Sequence, residues 1–204
     1  MLKFPLYGIE RLRITTDGAG VCTLVGACGC PLRCKYCLNP RSWNCTVVHK
    51  QVTPEELLEA VRIDGLYMAA TGGGVTFGGG EPLVYAEFIR AFRCLAPAEW
   101  KINAETCLNI PPELAEIASE CIDVFYVDIK DMNPDIYRAY TGCDNQRVKT
   151  NLKKLLNAIG AERIVARVPL IEGHNTEADV ECSIRELNSM GITHIDSFKY
   201  RVAD

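Results

Sequence analysis

Short apolar runs rich in β-branched residues alternate with helical patterns along the chain, and this alternation restricts the fold more than any other feature. Strands are predicted at Val21–Ala27, Gly74–Phe77, Trp100–Glu105, Ile122–Ile129, Arg163–Leu170 and His194–Lys199. Thr53-Pro54-Glu55-Glu56 reads as a capping box with proline in the first turn, followed by Leu57, Leu58 and Val61 on one face. Pro111-Pro112-Glu113 opens another helix, with Leu114, Ile117 and Ala118 facing in. Thr176 precedes a third, which carries Val180, Ile184 and Leu187 and stops at Gly191. Such alternation implies a parallel sheet with right-handed crossovers. A closed eight-unit barrel needs about 250 residues, whereas six strands fall within 204 residues here. The expectation is an α/β fold with an unclosed sheet, either a laterally open partial (β/α)6 TIM-like barrel or a doubly wound sheet. In both, the active site lies beyond the C-terminal strand ends. With no repeat, low-complexity segment or linker, residues 1–204 are expected to form a single domain.

An apolar fraction of 48% suffices for a core, and 22 Lys+Arg against 26 Asp+Glu leave a net charge of −4. No cationic excess is available to hold a nucleic-acid backbone. The longest apolar stretches fall far short of the roughly 20 residues that span a bilayer, and Met1-Leu2-Lys3-Phe4-Pro5 lacks the parts of a secretory signal. A cytoplasmic protein without nucleic-acid or membrane partners is expected. In a reducing compartment, eleven cysteines are not a disulfide framework. Cys22, Cys28, Cys30, Cys34 and Cys37 crowd into 16 residues, with Cys45 close behind. The scattered Cys94, Cys107, Cys121, Cys143 and Cys182 read as small buried apolar residues.

Directly after the first predicted strand, Cys30-Pro31-Leu32-Arg33-Cys34-Lys35-Tyr36-Cys37 places three thiols on one short loop. Three such cysteines can reach three irons of a cubane cluster and leave the fourth without a protein ligand. The competing reading is a closed zinc site with Cys28 or Cys45 as fourth ligand, although only Cys34/Cys37 has the CxxC spacing of a zinc knuckle. The second strand runs into Thr76-Phe77-Gly78-Gly79-Gly80-Glu81-Pro82, where a backbone without Cβ atoms lets a ligand approach closely; the bland alternative is a flexible turn. Two further strands end in Glu105-Thr106 and Asp128-Ile129-Lys130, which read as a hard-cation site or an exposed acidic rim. A fifth ends in Arg167-Val168-Pro169-Leu170, whose arginine suits a carboxylate, a ribose or an ion pair. Asp17-Gly18 is by itself a turn signal. His174 reads as a loop histidine, and His49 and His194 carry weaker signals still.

The CxxxCxxC loop with Tyr36 before its last cysteine resembles the radical S-adenosylmethionine (SAM) enzymes. With Asp17-Gly18-Ala19-Gly20 before it and Asn39 and Trp43 after it, the order is similar to that of the glycyl-radical-enzyme activating enzymes. The resemblance covers nearly the whole chain and is strongest over the first 45 residues. It implies a 4Fe-4S cluster on Cys30, Cys34 and Cys37, with SAM chelating the open iron and cleaved by one electron to a 5′-deoxyadenosyl radical. It implies that Tyr36, Gly78, Gly79, Gly80, Glu81, Thr106, Lys130 and Arg167 bind the cofactor, and that Glu105 and Asp128 hold K+ or Na+ beside it. Glu105 stands where the family has the shorter aspartate. Asp17 is implied as a contact to the protein substrate, a glycyl radical enzyme that loses a glycine Cα hydrogen. A flavodoxin or ferredoxin-like protein is the implied electron donor. Only 15 residues separate Cys37 from Thr53, too few for the ferredoxin-like insert of some activating enzymes, so one cluster is expected. The sequence departs from the family at Ser197-Phe198-Lys199-Tyr200, where a Leu-Pro-Tyr-His-like segment normally meets the adenine. Two other functions compete: radical modification of a peptide or small molecule, and a structural zinc- or cluster-binding module without turnover.

Overall fold

The computed structural model describes residues 2–14, 16–44 and 50–200. Its strands are β1 (Phe4–Ile14), β2 (Val21–Ala27), β3 (Lys50–Val52), β4 (Gly74–Gly79), β5 (Lys101–Thr106), β6 (Val124–Asp128), β7 (Ile164–Leu170) and β8 (Ile195–Lys199). Its helices are α1 (Pro54–Val61), α2 (Gly65–Thr71), α3 (Ala86–Leu95), α4 (Pro112–Cys121), α5 (Pro134–Thr141), α6 (Gln146–Ile159) and α7 (Glu177–Met190). All six predicted strands form, and they pair in parallel in the order β2-β4-β5-β6-β7-β8.

Two strands are additions to the prediction: β1 and β3 continue the sheet antiparallel beyond β2, in the order β3-β1-β2. β1 hides from a period-two reading because its register with β2 slips twice, between Leu6 and Gly8 and between Glu10 and Arg13. Each irregularity moves the following side chains to the other face, so no sustained alternation survives in the sequence. Leu12, in the second slip, has φ 53°. β3 is three residues long and offers no period to detect.

The sheet does not close: β3 forms one edge and β8 the other. Alternation along the parallel strands separates two faces. Val25, Val75, Phe77, Ile102, Ala104, Phe125, Val127, Ile164 and Ala166 are fully buried, in one core with Leu57, Phe88, Phe92, Ala118, Leu152 and Leu187 from the helices. The other face carries Thr76, Asn103, Glu105, Tyr126, Asp128 and Arg167 at the alternate positions. The predicted caps form as read. Thr53 Oγ1 accepts from the Glu56 amide at 3.2 Å while Glu56 accepts from the Thr53 amide at 2.8 Å. Thr176 makes the same exchange with Asp179, and Gly191 ends α7 in a left-handed conformation. No helix among the described residues is long and apolar enough to cross a membrane.

Candidate active site

The loop Cys30–Cys37 leaves β2 and is clamped from two sides by backbone bonds. The Arg33 and Lys35 amides donate to the carbonyls of Thr141 and Tyr140 at the end of α5, at 3.0 and 3.1 Å. The Glu81 amide donates to Gly29 O at 2.7 Å, just before the first cysteine. Cys30, Cys34 and Cys37 are all half-buried, and none is in a disulfide. Burial pushes the Cys34 thiol up to about 11, against the pull of Lys130, with Cys30 and Cys37 among its electrostatic neighbours. A thiol in that setting keeps its proton until a metal displaces it.

These residues fit a polynuclear cluster. The three cysteines gather at one place, yet among the described residues no three His, Cys, Asp or Glu side chains converge on a single metal-ion position. Three thiols on one short loop suit ligands of three different irons. Of the proposed fourth zinc ligands, Cys28 is fully buried in the core and Cys45 lies outside the described residues, as does His49. The Tyr137 hydroxyl, completely buried near Cys107 and Cys34, has no hydrogen-bond partner among the described residues. A buried orphan donor costs about 1–3 kcal/mol, a penalty that acceptor sulfurs at the cysteines would remove.

The glycine segment sits where expected, but its glycines are required by protein first. A Cβ on Gly79, at φ +88°, would lie 2.9 Å from Gly26 Cα, and one on Gly80 would run into Gly29 O. Their small size therefore closes β4 against β2 and the cysteine loop, and at Gly79 substitution would disturb the sheet as well as any ligand. Glu81 is fully buried and its carboxylate is consumed by three protein donors. It accepts from Leu83 N at 3.1 Å, Thr106 Oγ1 at 2.7 Å and Cys107 N at 2.8 Å. Glu81 and Thr106, read from the sequence as cofactor contacts, are thus occupied in tying the end of β4 to the end of β5.

The acidic strand ends differ more sharply from the prediction. Arg167 donates from Nη1 to Glu105 Oε1 at 2.6 Å and from Nε to Asp128 Oδ1 at 2.7 Å, and Lys130 Nζ donates to Asp128 Oδ2 at 2.9 Å. The guanidinium thus occupies the position between the two carboxylates that was assigned to K+ or Na+, and two side-chain cations balance two anions. Burial raises the Glu105 carboxyl, opposed by Arg167. At Asp128 burial acts the same way, but Lys130 and Arg167 outweigh it and bring the carboxyl to about 2.

A stability prediction follows. The folded value lies below the roughly 3.9 of a free aspartate, so ionised Asp128 stabilises the fold above about pH 4, and this is lost as pH falls towards 2. The contribution is about 2 kcal/mol. Urea unfolding of wild type and Asp128→Asn should differ by about that amount near pH 6, by progressively less below about pH 4, and converge only below about pH 2.

Asp17 faces inward rather than towards a partner. It is 3% exposed, and its carboxylate accepts from Arg13 Nε at 2.5 Å and Thr16 Oγ1 at 3.1 Å. Thr76 Oγ1 donates to its carbonyl. Its side chain braces the turn before β2, so the surface at this turn is presented by the residues around it.

Tyr36 packs edge-on against His174 and Tyr140, at ring-centroid distances of 5.3 and 6.3 Å. Tyr200 Oη donates to Tyr36 O at 2.7 Å. The divergent end of the sequence thus returns to the cysteine loop. Burial, and Lys35 after it, lower the His174 imidazole below its usual value. Among the scattered cysteines, Cys107 and Cys121 are buried as expected, Cys143 is half-buried, and Cys94 and Cys182 are exposed on α3 and α7. Cys107 and Tyr200 are the site residues that sequence reasoning missed; the position of Cys107 right after Glu105-Thr106, at a strand end, was the available signal.

The radical SAM superfamily profile matches residues 24–182. The chain belongs to this superfamily. It is therefore an enzyme of a family that uses a 4Fe-4S cluster and SAM. This radical SAM chain is 31% identical over 190 residues to the pyruvate formate-lyase-activating enzyme of Staphylococcus aureus, covering 88% of the chain and 73% of the relative. A domain of pyruvate-formate lyase-activating enzyme from Bacteroides vulgatus superposes with TM-score 0.52 at 26% identity, over 62% of this chain and 78% of that one. Streptococcus suis SuiB, bound to precursor peptide SuiA, superposes with TM-score 0.64 at 14% identity over 87% of this chain, a likeness of fold. The chain spans 38% of SuiB's length.

Proposed function

We propose that this radical SAM enzyme activates a glycyl radical enzyme by removing one Cα hydrogen from a glycine of that partner. The observation that carries the reading is the unclosed sheet, together with the likeness to an activating enzyme over most of the chain. An open lateral mouth admits a polypeptide loop, whereas a metabolite site needs enclosing walls. Glycine lets such a loop pass close without a side-chain clash.

In this reading Cys30, Cys34 and Cys37 would hold the cluster, and SAM would bind beside it. When bound, cluster and SAM together supply one electron and a carbon-centred hydrogen acceptor, so one substrate C–H bond breaks as another forms. The Gly78–Gly80 backbone would line the bound cofactor. Lys130 and Arg167, partnered by Asp128 and Glu105, would supply the positive charge that a cofactor carboxylate needs. Tyr36, Tyr140, His174 and Tyr200 pack around the cysteine loop and exclude water. The substrate loop runs over the face that carries Glu105 and Tyr126 and meets the turn at Asp17. Residues 1–204 act as a single cytoplasmic domain with one cluster and no ferredoxin-like insert, reduced by a flavodoxin or ferredoxin-like donor.

Mixing reduced, cluster-loaded enzyme and SAM with a glycyl radical enzyme should give a stable protein-centred radical by electron paramagnetic resonance, in step with 5′-deoxyadenosine formation. The second reading, modification of a peptide or small molecule, draws on SuiB, which was crystallised with its precursor peptide. Turnover of a free peptide or metabolite without any radical on a protein partner would replace the first reading by the second.

A further inference from the structure

Although the chain carries a net charge of −4, the surface beside the cysteine loop is cationic. The turn from α5 to α6 and the segment after β5 bound a cavity of about 720 Å³, whose lining includes Asn109, Arg138, Cys143, Asp144, Arg147 and Asn151. Arg138 and Arg147 are exposed on its rim. Neither has an ion pair among the described residues, whereas Arg62, Arg90, Arg93, Arg167 and Arg185 all do. Asp144 is the carboxylate on the same rim, and its Oδ1 accepts from Gln146 N at 3.0 Å. The cysteine loop adds the exposed cations Arg33 and Lys35, with Leu38 63% exposed just past Cys37.

Cavity and loop are in contact. Cys143 Sγ donates to Pro31 O at 3.7 Å, and Arg33 N donates to Thr141 O at 3.0 Å. The walls are fixed before anything binds. Asn151, fully buried, donates from Nδ2 to the carbonyls of Leu108 and Ile110, both at 2.9 Å, and Asn145 Nδ2 holds the Met132 carbonyl at 2.9 Å. A preformed surface loses little on ordering when a partner arrives. None of the inner-face residues Thr76, Asn103, Glu105, Tyr126, Asp128 and Arg167 lines this cavity. A protein seated here would therefore leave that face free.

We propose that this cationic surface docks the protein that delivers the electron to the cluster, through an acidic patch whose carboxylates pair with Arg138 and Arg147. The inference rests on Cys30, Cys34 and Cys37 holding the cluster. One electron passes from the reduced donor to the oxidised cluster, so the donor is oxidised by one electron and no bond forms or breaks. An electron can enter through the outer side of the cysteine loop, whereas a hydrogen donor has to bring its reacting atom to about 3–3.5 Å. Redox encounters use small interfaces, below about 1,200 Å², and charge attraction sets their rate.

The test uses the full chain loaded with iron and sulfide under anaerobic conditions, with a reduced flavodoxin of net negative charge as the probe. Cluster reduction is followed by stopped-flow loss of iron–sulfur absorbance, without SAM, across a range of salt concentrations. Photoreduced deazaflavin, a small reductant that needs no docking, gives the reference rate. The ratio of the two rates is read for each protein, so that a damaged cluster does not mimic a docking defect. Arg138→Glu/Arg147→Glu should lower this ratio by about tenfold or more at low salt and flatten the fall of the flavodoxin rate with rising salt. Arg62→Glu/Arg185→Glu makes the same change in net charge at exposed residues outside the cavity and should stay near wild type. An unchanged ratio in Arg138→Glu/Arg147→Glu, or an equal fall in both double variants, overturns the proposal. So does a wild type that deazaflavin reduces and flavodoxin does not. Wild type that binds no iron would instead overturn the cluster reading on which the proposal stands.

Discussion

Cys34→Ser is expected to abolish the cluster, taking iron from about four per chain to near zero and SAM cleavage with it. The effect is large because Cys34 sits in the middle of the three-thiol loop, with Cys30, Cys37 and Lys130 as its electrostatic neighbours. The loop's backbone is held by α5 and Glu81 through bonds that involve no thiol. The serine variant should therefore fold, giving a wild-type circular dichroism spectrum without the iron–sulfur absorbance. Cys30→Ser and Cys37→Ser should behave alike. If iron persists when all three are replaced, the cluster assignment is wrong.

The second large effect is expected at Arg167. Replacing it by methionine keeps much of the apolar volume but strips Glu105 and Asp128 of their shared counter-ion in a site where Arg167 is 17% exposed. Breaking a buried pair by removing one partner costs about 3–5 kcal/mol, visible as a lowered urea midpoint of the cluster-free chain. Adding Glu105→Gln to Arg167→Met should recover part of the loss, since one of the two stranded charges disappears. The variant should also gain a stabilisation by K+ or Na+ that wild type lacks, because a free cation can then occupy the place of the guanidinium. Wild-type turnover that depends on K+ or Na+, compared with a bulky organic cation, would show that Arg167 does not serve as that charge.

Much of the fold is legible in the sequence because its causes are local. Proline-marked helix starts, the two capping boxes and the β-branched runs each act within a few residues, and the parallel order follows from their alternation. β1 escapes because bulges break its period, and bulges depend on the partner strand. The cysteine loop is equally local: its three thiols lie within eight residues, from Cys30 to Cys37. This spacing offers three thiolates together, which suits a cubane with one open iron and by itself leaves a closed zinc site as the competing reading.

What only the tertiary structure decides is how residues far apart in the chain divide the work at the strand ends. Glu81 and Thr106 lie 25 positions apart and satisfy each other. Arg167 reaches back 62 positions to Glu105, where it takes the place expected for a metal ion. Asp17 spends its charge on Arg13 rather than on a partner. The cysteine loop and the segment after β5 are joined because Glu81 bonds both, at Gly29 and at Cys107. The sequence by itself determined the chemistry on offer, since a residue's type sets what it can bind. Which groups remain available after neighbours have satisfied one another was decided by folding, because burial makes an unpaired charge or donor too costly to leave in place.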